Sequence, residues 1–302
     1  MATNTLYLRT PAKINLSLVV LGRREDGYHE LLTEMVMIDL FDELLLEKVS
    51  DPGIHIRLSG RPVDGDPEKN LVVRALTLLV ESAKKKRMHL SGGFAADLTK
   101  NIPVGAGLGG GSSNAAIALW GGNRLMGHPL SLDEMRAIGR GLGADVPFFL
   151  GGPRAMGVGR GDILVPLPPP QPFAVLLWNP EIPLPTPSVY RALDPADLEY
   201  KETVELTEKE RSNRIGSLLK SGDLVNSLEK AAIGLCPQIA DGIDFLERFR
   251  PGNVRMTGSG PTVFARFDSR EKALGVAREM GGTLGGWTGV FEGLLSPPVP
   301  GV

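Results

Sequence analysis

The chain has 302 residues, with 33 Lys and Arg against 35 Asp and Glu, 42% hydrophobic residues, 23% charged residues and one cysteine. That length suits about two ordinary domains whose core needs no covalent staples, and so balanced a composition excludes disordered, collagenous and disulfide-framework classes. A net charge of −2 gives no global attraction for nucleic acid, and no window approaches the ~18 consecutive apolar residues of a membrane span. Neither partner is expected. Cys236 cannot bridge within the chain and suits a reducing compartment. Met1 to Arg9 has no basic segment followed by an apolar stretch, so a cytoplasmic location is the expectation.

In chain order, Leu6 to Leu8 and Ile14 to Val20 run or alternate like strands. Glu43 to Val49 and Ile54 to Leu58 extend that pattern around the turn residues Asp51-Pro-Gly53. Leu71, Ala75, Leu78 and Leu79 recur at helical spacing within Asn70 to Ser82. The basic run Lys84 to Arg87 reads as the solvated end of that helix, where cations complement the dipole. Phe94 to Leu98 alternates again. Pro166-Leu-Pro-Pro-Pro-Gln-Pro172 prevents a continuous helix or central strand, which places a domain boundary there and divides the chain into residues 1–165 and 166–302. Beyond it, Phe173 to Trp178 and Thr262 to Phe267 read as strands, and Arg211 to Leu219, Asp223 to Ala232 and Ile239 to Arg248 as helices, giving an α+β class. The Pro- and Gly-containing tail from Leu294 to Val302 is expected to be loosely held.

The strongest local signal is Asn101-Ile-Pro-Val-Gly-Ala-Gly-Leu-Gly-Gly-Gly-Ser-Ser-Asn-Ala-Ala116. Glycines allow backbone N–H groups to turn inward on a phosphate, and Ser112, Ser113 and Asn114 stand where a helix cap and the positive end of its dipole are expected. Gly105, Gly107 and Gly110 satisfy the G-x-G-x-x-G spacing of dinucleotide folds, but Pro103 occupies the end of the feeding strand. The glycine spacing of a Walker loop is also met, yet Gly111 stands where that loop needs its lysine, so the neutralising cation must come from elsewhere. A plain tight turn is the third reading.

Two residues outside the loop could supply chemistry. In Pro11-Ala-Lys-Ile-Asn-Leu-Ser-Leu18, Lys13 and Asn15 share one face of a strand and Ile14, Leu16 and Leu18 the other. Asp145, in Gly141-Leu-Gly-Ala-Asp-Val-Pro-Phe-Phe149, is either a helix cap or an acid able to take a proton from an attacking hydroxyl, with a lysine stabilising the oxygen.

Together, Pro11-Ala-Lys-Ile-Asn15, the loop from Gly105 to Ala116 and Met256-Thr-Gly-Ser-Gly-Pro-Thr262 resemble the three motifs of the GHMP small-molecule kinases. Arg24-Glu-Asp-Gly-Tyr-His-Glu30, Leu142-Gly-Ala-Asp-Val-Pro147 and Pro185-Thr-Pro187 are similar to the branch of that superfamily that acts on a cytidylyl sugar alcohol; the similarity runs from about Thr10 to Phe267. The resemblance implies a two-domain GHMP kinase fold: a ribosomal protein S5 domain 2-like N-terminal domain that binds ATP, a ferredoxin-like C-terminal domain, and a cleft between them. It implies ATP-dependent phosphorylation of the 2-hydroxyl of 4-diphosphocytidyl-2-C-methyl-D-erythritol in the non-mevalonate isoprenoid pathway. Carried across, Asp145 is the general base and Lys13 its partner. Pro103, Val104, Gly105, Ala106, Gly107, Leu108, Gly109, Gly110, Gly111, Ser112 and Ser113 hold the phosphates of ATP, with Asn70 near the adenine. Tyr28 and Tyr190 sandwich the cytosine, His29 bonds its edge, and Asn15 and Thr186 reach the sugar alcohol. Mg2+ enters with ATP, Ser112 or Ser113 being candidate hydroxyl contacts, and no direct protein ligand is assigned. The partner implied is the small cytidylyl substrate, and the chain is expected to be a monomer or weak homodimer. The alternatives are a GHMP kinase for another alcohol, such as homoserine or mevalonate, and a non-catalytic ATP-binding sensor.

Overall fold

Two long strands organise the chain. Thr5–Arg23 (β1) and His29–Val49 (β2) pair antiparallel along almost their whole length, with register shifts at Pro11/Ala12, Asn15/Ser17 and Val20/Gly22. The runs Leu6 to Leu8 and Ile14 to Val20 thus belong to one strand. Pro11, which separates them in the sequence, sits at a bulge, where a missing N–H is tolerated. The first half of β2, Leu31 to Ile38, is apolar except for Thr33 and Glu34 and shows little alternation because it is buried on both faces, and so lacks the period-two signal of a half-exposed strand. A computed structural model describes residues 4–63, 65–88, 91–200, 203–204, 206–221 and 224–299 of the chain.

The first half continues through Gly53–Gly60 (β3), Leu71–Lys85 (α1), Gly93–Lys100 (β4), Gly110–Leu125 (α2), Leu132–Leu142 (α3), Val146–Phe149 (α4), Arg154–Gly159 (β5) and Ile163–Pro166 (β6). Its six-stranded sheet runs β3-β4-β2-β5-β6, with β1 also on β2; the C-terminal half of β2 pairs β4 and the N-terminal half pairs β5. The second half contains Ala174–Asn179 (β7), Thr186–Ala192 (α5), Glu208–Ser221 (α6), Glu229–Leu235 (α7), Gln238–Glu247 (α8), Asn253–Met256 (β8), Val263–Phe267 (β9), Arg270–Leu284 (α9) and Trp287–Glu292 (β10). Its antiparallel sheet runs β10-β7-β9-β8. A division of the chain at residue 165/166, which we propose from the proline run, would leave each half its own sheet.

One apolar core lies between α1, α2, α3 and the first sheet, and a second beneath α7, α8 and α9 on the second sheet. A third joins the halves: Ala12, Ile14, Leu16, Val36 and Ile38 from the hairpin meet Val175, Leu177 and Phe264 from the other sheet. The opposite face of β1 is thereby committed to the site.

Two expectations are corrected. The helix read over Asp223 to Ala232 begins only at Glu229; Asp223 lies outside the described residues, and Asn226 forms a parallel bridge with Leu18. Leu224 and Val225 are drawn out to follow β1, with Leu18 N donating to Val225 O at 2.7 Å and Ser227 N to Leu18 O at 2.9 Å. The tail is also held. Leu294 N donates to Met37 O at 2.9 Å, and Val299 is buried in the first core. Residues 300–302 lie outside the described residues.

Candidate active site

A cavity of about 1600 Å³ opens between the halves, lined by the glycine-rich loop, by Lys13 and Asp145, and by Tyr28, His29 and Tyr190. Lys13 is 3% exposed, so it is not the solvent-facing strand residue that its place in β1 alone would suggest. Its backbone N–H donates to Leu108 O at 2.9 Å, pinning the strand to the loop, and its Nζ lies 3.4 Å from Asp145 Oδ2 and donates to Asn15 Oδ1. Asn15 Nδ2 in turn donates to Thr33 Oγ1 at 2.7 Å, and that hydroxyl donates to Ser17 O at 2.8 Å. This chain fixes the ammonium without neutralising it fully. Asp145 precedes α4 but makes no capping bond with its side chain, which leaves the carboxylate for Lys13 and the cavity.

The loop reaches Lys13 closely. Gly107 has φ +76°, and a Cβ there would stand 2.5 Å from Thr257 O; at Gly109, φ +70°, a Cβ would stand 3.0 Å from Lys13 Cγ and 3.1 Å from Phe149. Only glycine combines that backbone with such approaches. Helix α2 starts at Gly110 with Gly109 as its cap and no side-chain capping bond, so the expectation of a cap at Ser112, Ser113 or Asn114 is corrected. The exposed N–H groups at this end remain available to an anion. Ser112 lines the cavity, whereas Ser113 is fully buried and its hydroxyl has no hydrogen-bond partner among the described residues. Pro103 to Gly111 all line the cavity, as does Asn70, whose Oδ1 caps α1 by accepting from Val72 N at 2.9 Å.

Beneath the loop lies a buried polar network that the sequence reading did not single out. Asp42 Oδ1 accepts from Asn101 N at 2.7 Å and Ile102 N at 2.8 Å, while Oδ2 binds Lys100 Nζ and accepts from Asn114 Nδ2 at 2.9 Å. Asn114 is therefore a brace rather than a cap. Burial pulls the Lys100 ammonium below its ordinary range and Asp42 acts against that pull.

At the other end, His29 and Tyr190 have ring centroids 5.1 Å apart at 31°, and Tyr28 is 57% exposed with the Arg160 guanidinium 5.0 Å from its ring centroid. Burial, then the charge of Arg23, lowers the His29 pKa; burial, then Asp145, raises that of Tyr190. Both rings are thus neutral near pH 7. Thr186 Oγ1 shares a 2.7 Å hydrogen bond with Ser259 Oγ at the same cavity. Thr33, Arg160, Gly258 and Ser259 also line it and were not assigned from sequence; Gly258 and Ser259 lay within the third motif, but nothing local in Thr33 or Arg160 marks them out.

The GHMP kinase N-terminal domain model matches residues 70–152 and the GHMP kinase C-terminal model residues 203–284. A 4-diphosphocytidyl-2-C-methyl-D-erythritol kinase of Shouchella clausii is 40% identical over 260 residues, 85% of this chain and 84% of that protein. One of Desulfotalea psychrophila is 41% identical over 264 residues, 87% of this chain and 85% of that protein. The chain belongs to the 4-diphosphocytidyl-2-C-methyl-D-erythritol kinase family. A crystal structure of a 4-(cytidine 5'-diphospho)-2C-methyl-D-erythritol kinase is similar with TM-score 0.77 and 34% identity, covering 95% of this chain and 99% of that one. A homoserine kinase from Cytophaga hutchinsonii, at TM-score 0.72 and 19% identity over 98% and 96% of the chains, shares the fold. The two-domain GHMP kinase fold expected from the motifs is therefore the fold of this family.

Proposed function

We propose that this chain transfers the γ-phosphoryl group of ATP to the 2-hydroxyl of 4-diphosphocytidyl-2-C-methyl-D-erythritol, a step of the non-mevalonate isoprenoid pathway. The carrying observation is the Lys13–Asp145 pair, 3.4 Å apart, with the glycine-rich loop packed on Lys13 and the pair lining the same cavity as Tyr28, His29 and Tyr190. ATP is the co-substrate of a kinase family, and the loop with the start of α2 presents backbone donors to its phosphates. Asp145 accepts the proton of the attacking hydroxyl, and Lys13 holds negative charge on that oxygen and on the transferring group. Tyr28 and Tyr190 hold the cytosine by stacking, His29 reads its edge, and Thr186 faces the sugar alcohol. Asn15 serves first by orienting Lys13. Asn70 faces the adenine.

Magnesium fits this donor set as a companion of the phosphates. Among the described residues no group of three His, Cys, Asp or Glu gathers, and near the loop Ser112 would offer the ion a hydroxyl. When bound, the ion would neutralise phosphate charge. Among the described residues no helix is long and apolar enough to cross a membrane.

The testing experiment is ATP-dependent phosphorylation of the cytidylyl compound beside homoserine and mevalonate, with Asp145→Asn and Lys13→Ala. Turnover confined to the cytidylyl compound, lowered about 10²–10⁴-fold by Asp145→Asn with ATP binding retained, is expected. Preference for another alcohol would discard the acceptor and keep the kinase.

A further inference from the structure

The break in the expected helix at Asn226 has a structural purpose. Asn226 Nδ2 donates to Met256 O at 2.8 Å and to Gly258 O at 2.9 Å, while its Oδ1 accepts from Leu228 N at 3.0 Å. One turn later Glu229 Oε2 accepts from Met256 N at 2.8 Å. Three of the four bonds therefore fall on the backbone of the turn that begins the third motif, and Asn226 itself lies outside the residues that line the cavity. Continuing α7 backward through Asn226 would cost these bonds and the bridge to Leu18.

What the latch holds is next to the chemistry. A Cβ on Gly258 would stand 3.1 Å from Gly107 O and 3.2 Å from Asn15 Oδ1, and Thr257 Oγ1 accepts from Asn15 N at 2.7 Å. Gly107 belongs to the phosphate loop, and Asn15 accepts from the Lys13 ammonium. The turn is thus a spacer between the loop and the lysine's support. We infer that Asn226 and Glu229 are positioning residues, which lock the Met256–Gly260 turn so that the phosphate loop and Lys13 keep their relative placement. The inference rests on the kinase reading for its kinetic consequence and extends it to two residues of the second half that touch neither ligand.

A displacement of about 1 Å at a reacting group can cost on the order of 10²-fold in rate. The test compares Asn226→Ala, Asn226→Asp, Glu229→Ala and Glu229→Gln by steady-state kinetics, by binding of a non-hydrolysable ATP analogue, and by thermal unfolding. Ile239→Val, an apolar truncation in the second core that removes none of the four hydrogen bonds, supplies a control for stability loss alone. Both Asn226 variants and Glu229→Ala are expected to lower kcat about tenfold or more and to weaken the analogue several-fold, beyond anything Ile239→Val does at a comparable Tm. Glu229→Gln, which keeps an acceptor for Met256 N, restores both. Analogue affinity and kcat within twofold of wild type in Asn226→Asp, or equal losses in Glu229→Gln and Glu229→Ala, would overturn the latch. If the wild type binds the analogue but does not turn over the cytidylyl compound, the acceptor reading fails while the affinity comparison still decides the latch. Should Asn226→Ala not fold, the Glu229 pair carries the same decision.

Discussion

Lys13 works from a place where few lysines sit. Its side chain is 4% exposed while that of Asp145 is 35% exposed, so one charge is shielded from water and its partner faces the space where an acceptor would enter. Low local polarity strengthens what Lys13 exerts on nearby oxygens, and the hydrogen bond to Asn15 keeps the ammonium from collapsing fully onto the carboxylate. Lys13→Ala is expected to lower kcat by about 10²–10³-fold with the KM for the cytidylyl substrate changed far less; an equal loss in binding would make the lysine an anchor instead. Tyr28 is the opposite case, exposed and available. Stacking on an aromatic ring is worth about 1–3 kcal/mol per base, so Tyr28→Ala should raise that KM by roughly 5- to 150-fold and leave the KM for ATP unchanged, as initial-rate measurements would show. His29 supplies a pH prediction. Its pKa is lowered, so the imidazole stays neutral further into acid than a free one: as pH falls from 8, substrate KM should begin to rise at a lower pH than the protonation of an ordinary imidazole would give. A midpoint above the ordinary imidazole value would contradict the half-buried setting of His29 beside Arg23. Lys13 and Asp145 were legible because short motifs surround them, whereas the His29–Tyr190 contact joins residues 161 positions apart and leaves no local trace.

Helix α2 shows at the next scale how packing overrides propensity. Two interior glycines, Gly121 and Gly122, each cost a helix about 1 kcal/mol relative to alanine, and the sequence offers no reason beyond close approach. The approach is there. A Cβ on Gly121 would stand 2.7 Å from Leu8 Cδ1, and one on Gly122 would stand 2.6 Å from Leu79 Cδ2 and 2.7 Å from Leu76 Cδ2. Gly122→Ala is therefore expected to lower stability by about 1–3 kcal/mol in denaturant unfolding, against the sign of its propensity gain, because two leucines of α1 must move. The same logic operates at Gly107, where the obstructing atom is the Thr257 carbonyl and cannot swing away. Strands and helices with clean periods, such as β4 and α8, were readable directly. The sequence marks β2 only in its second half, where one face is less buried, and its helical pattern runs past the true start of α7 because bonds to Leu18 and Met256 outweigh local pattern.

Across the whole molecule, the placement of the site depends on contacts between distant parts of the chain. The hairpin β1–β2 presents Ile14 and Leu16 to the second sheet and Lys13 to the cavity, so the third core fixes β1 against the second half while β2 holds it in the first. The tail adds to that union from the far end. At the end of β10, Glu292 N donates to Asp39 Oδ1 at 2.6 Å; beyond it, Gly293 bridges Ile38, Leu294 N bonds Met37 O, and Val299 enters the first core. The sequence pointed to a loose end because proline and glycine give no period, and nothing in such a segment says which surface will receive it. Its burial predicts a measurable role. Removing residues 294–302 uncovers part of the first core and deletes the Leu294–Met37 bond, so the truncated chain should unfold at lower temperature than the full one. The loss should appear in the first half, as faster hydrogen exchange in β2 around Met37, although every deleted residue follows the second sheet. Unchanged Tm and unchanged exchange at Met37 would mean that the hairpin is held by the third core alone. Slower turnover with intact stability would instead assign the tail to the alignment of Lys13, whose strand neighbour in β2 is Met37 itself.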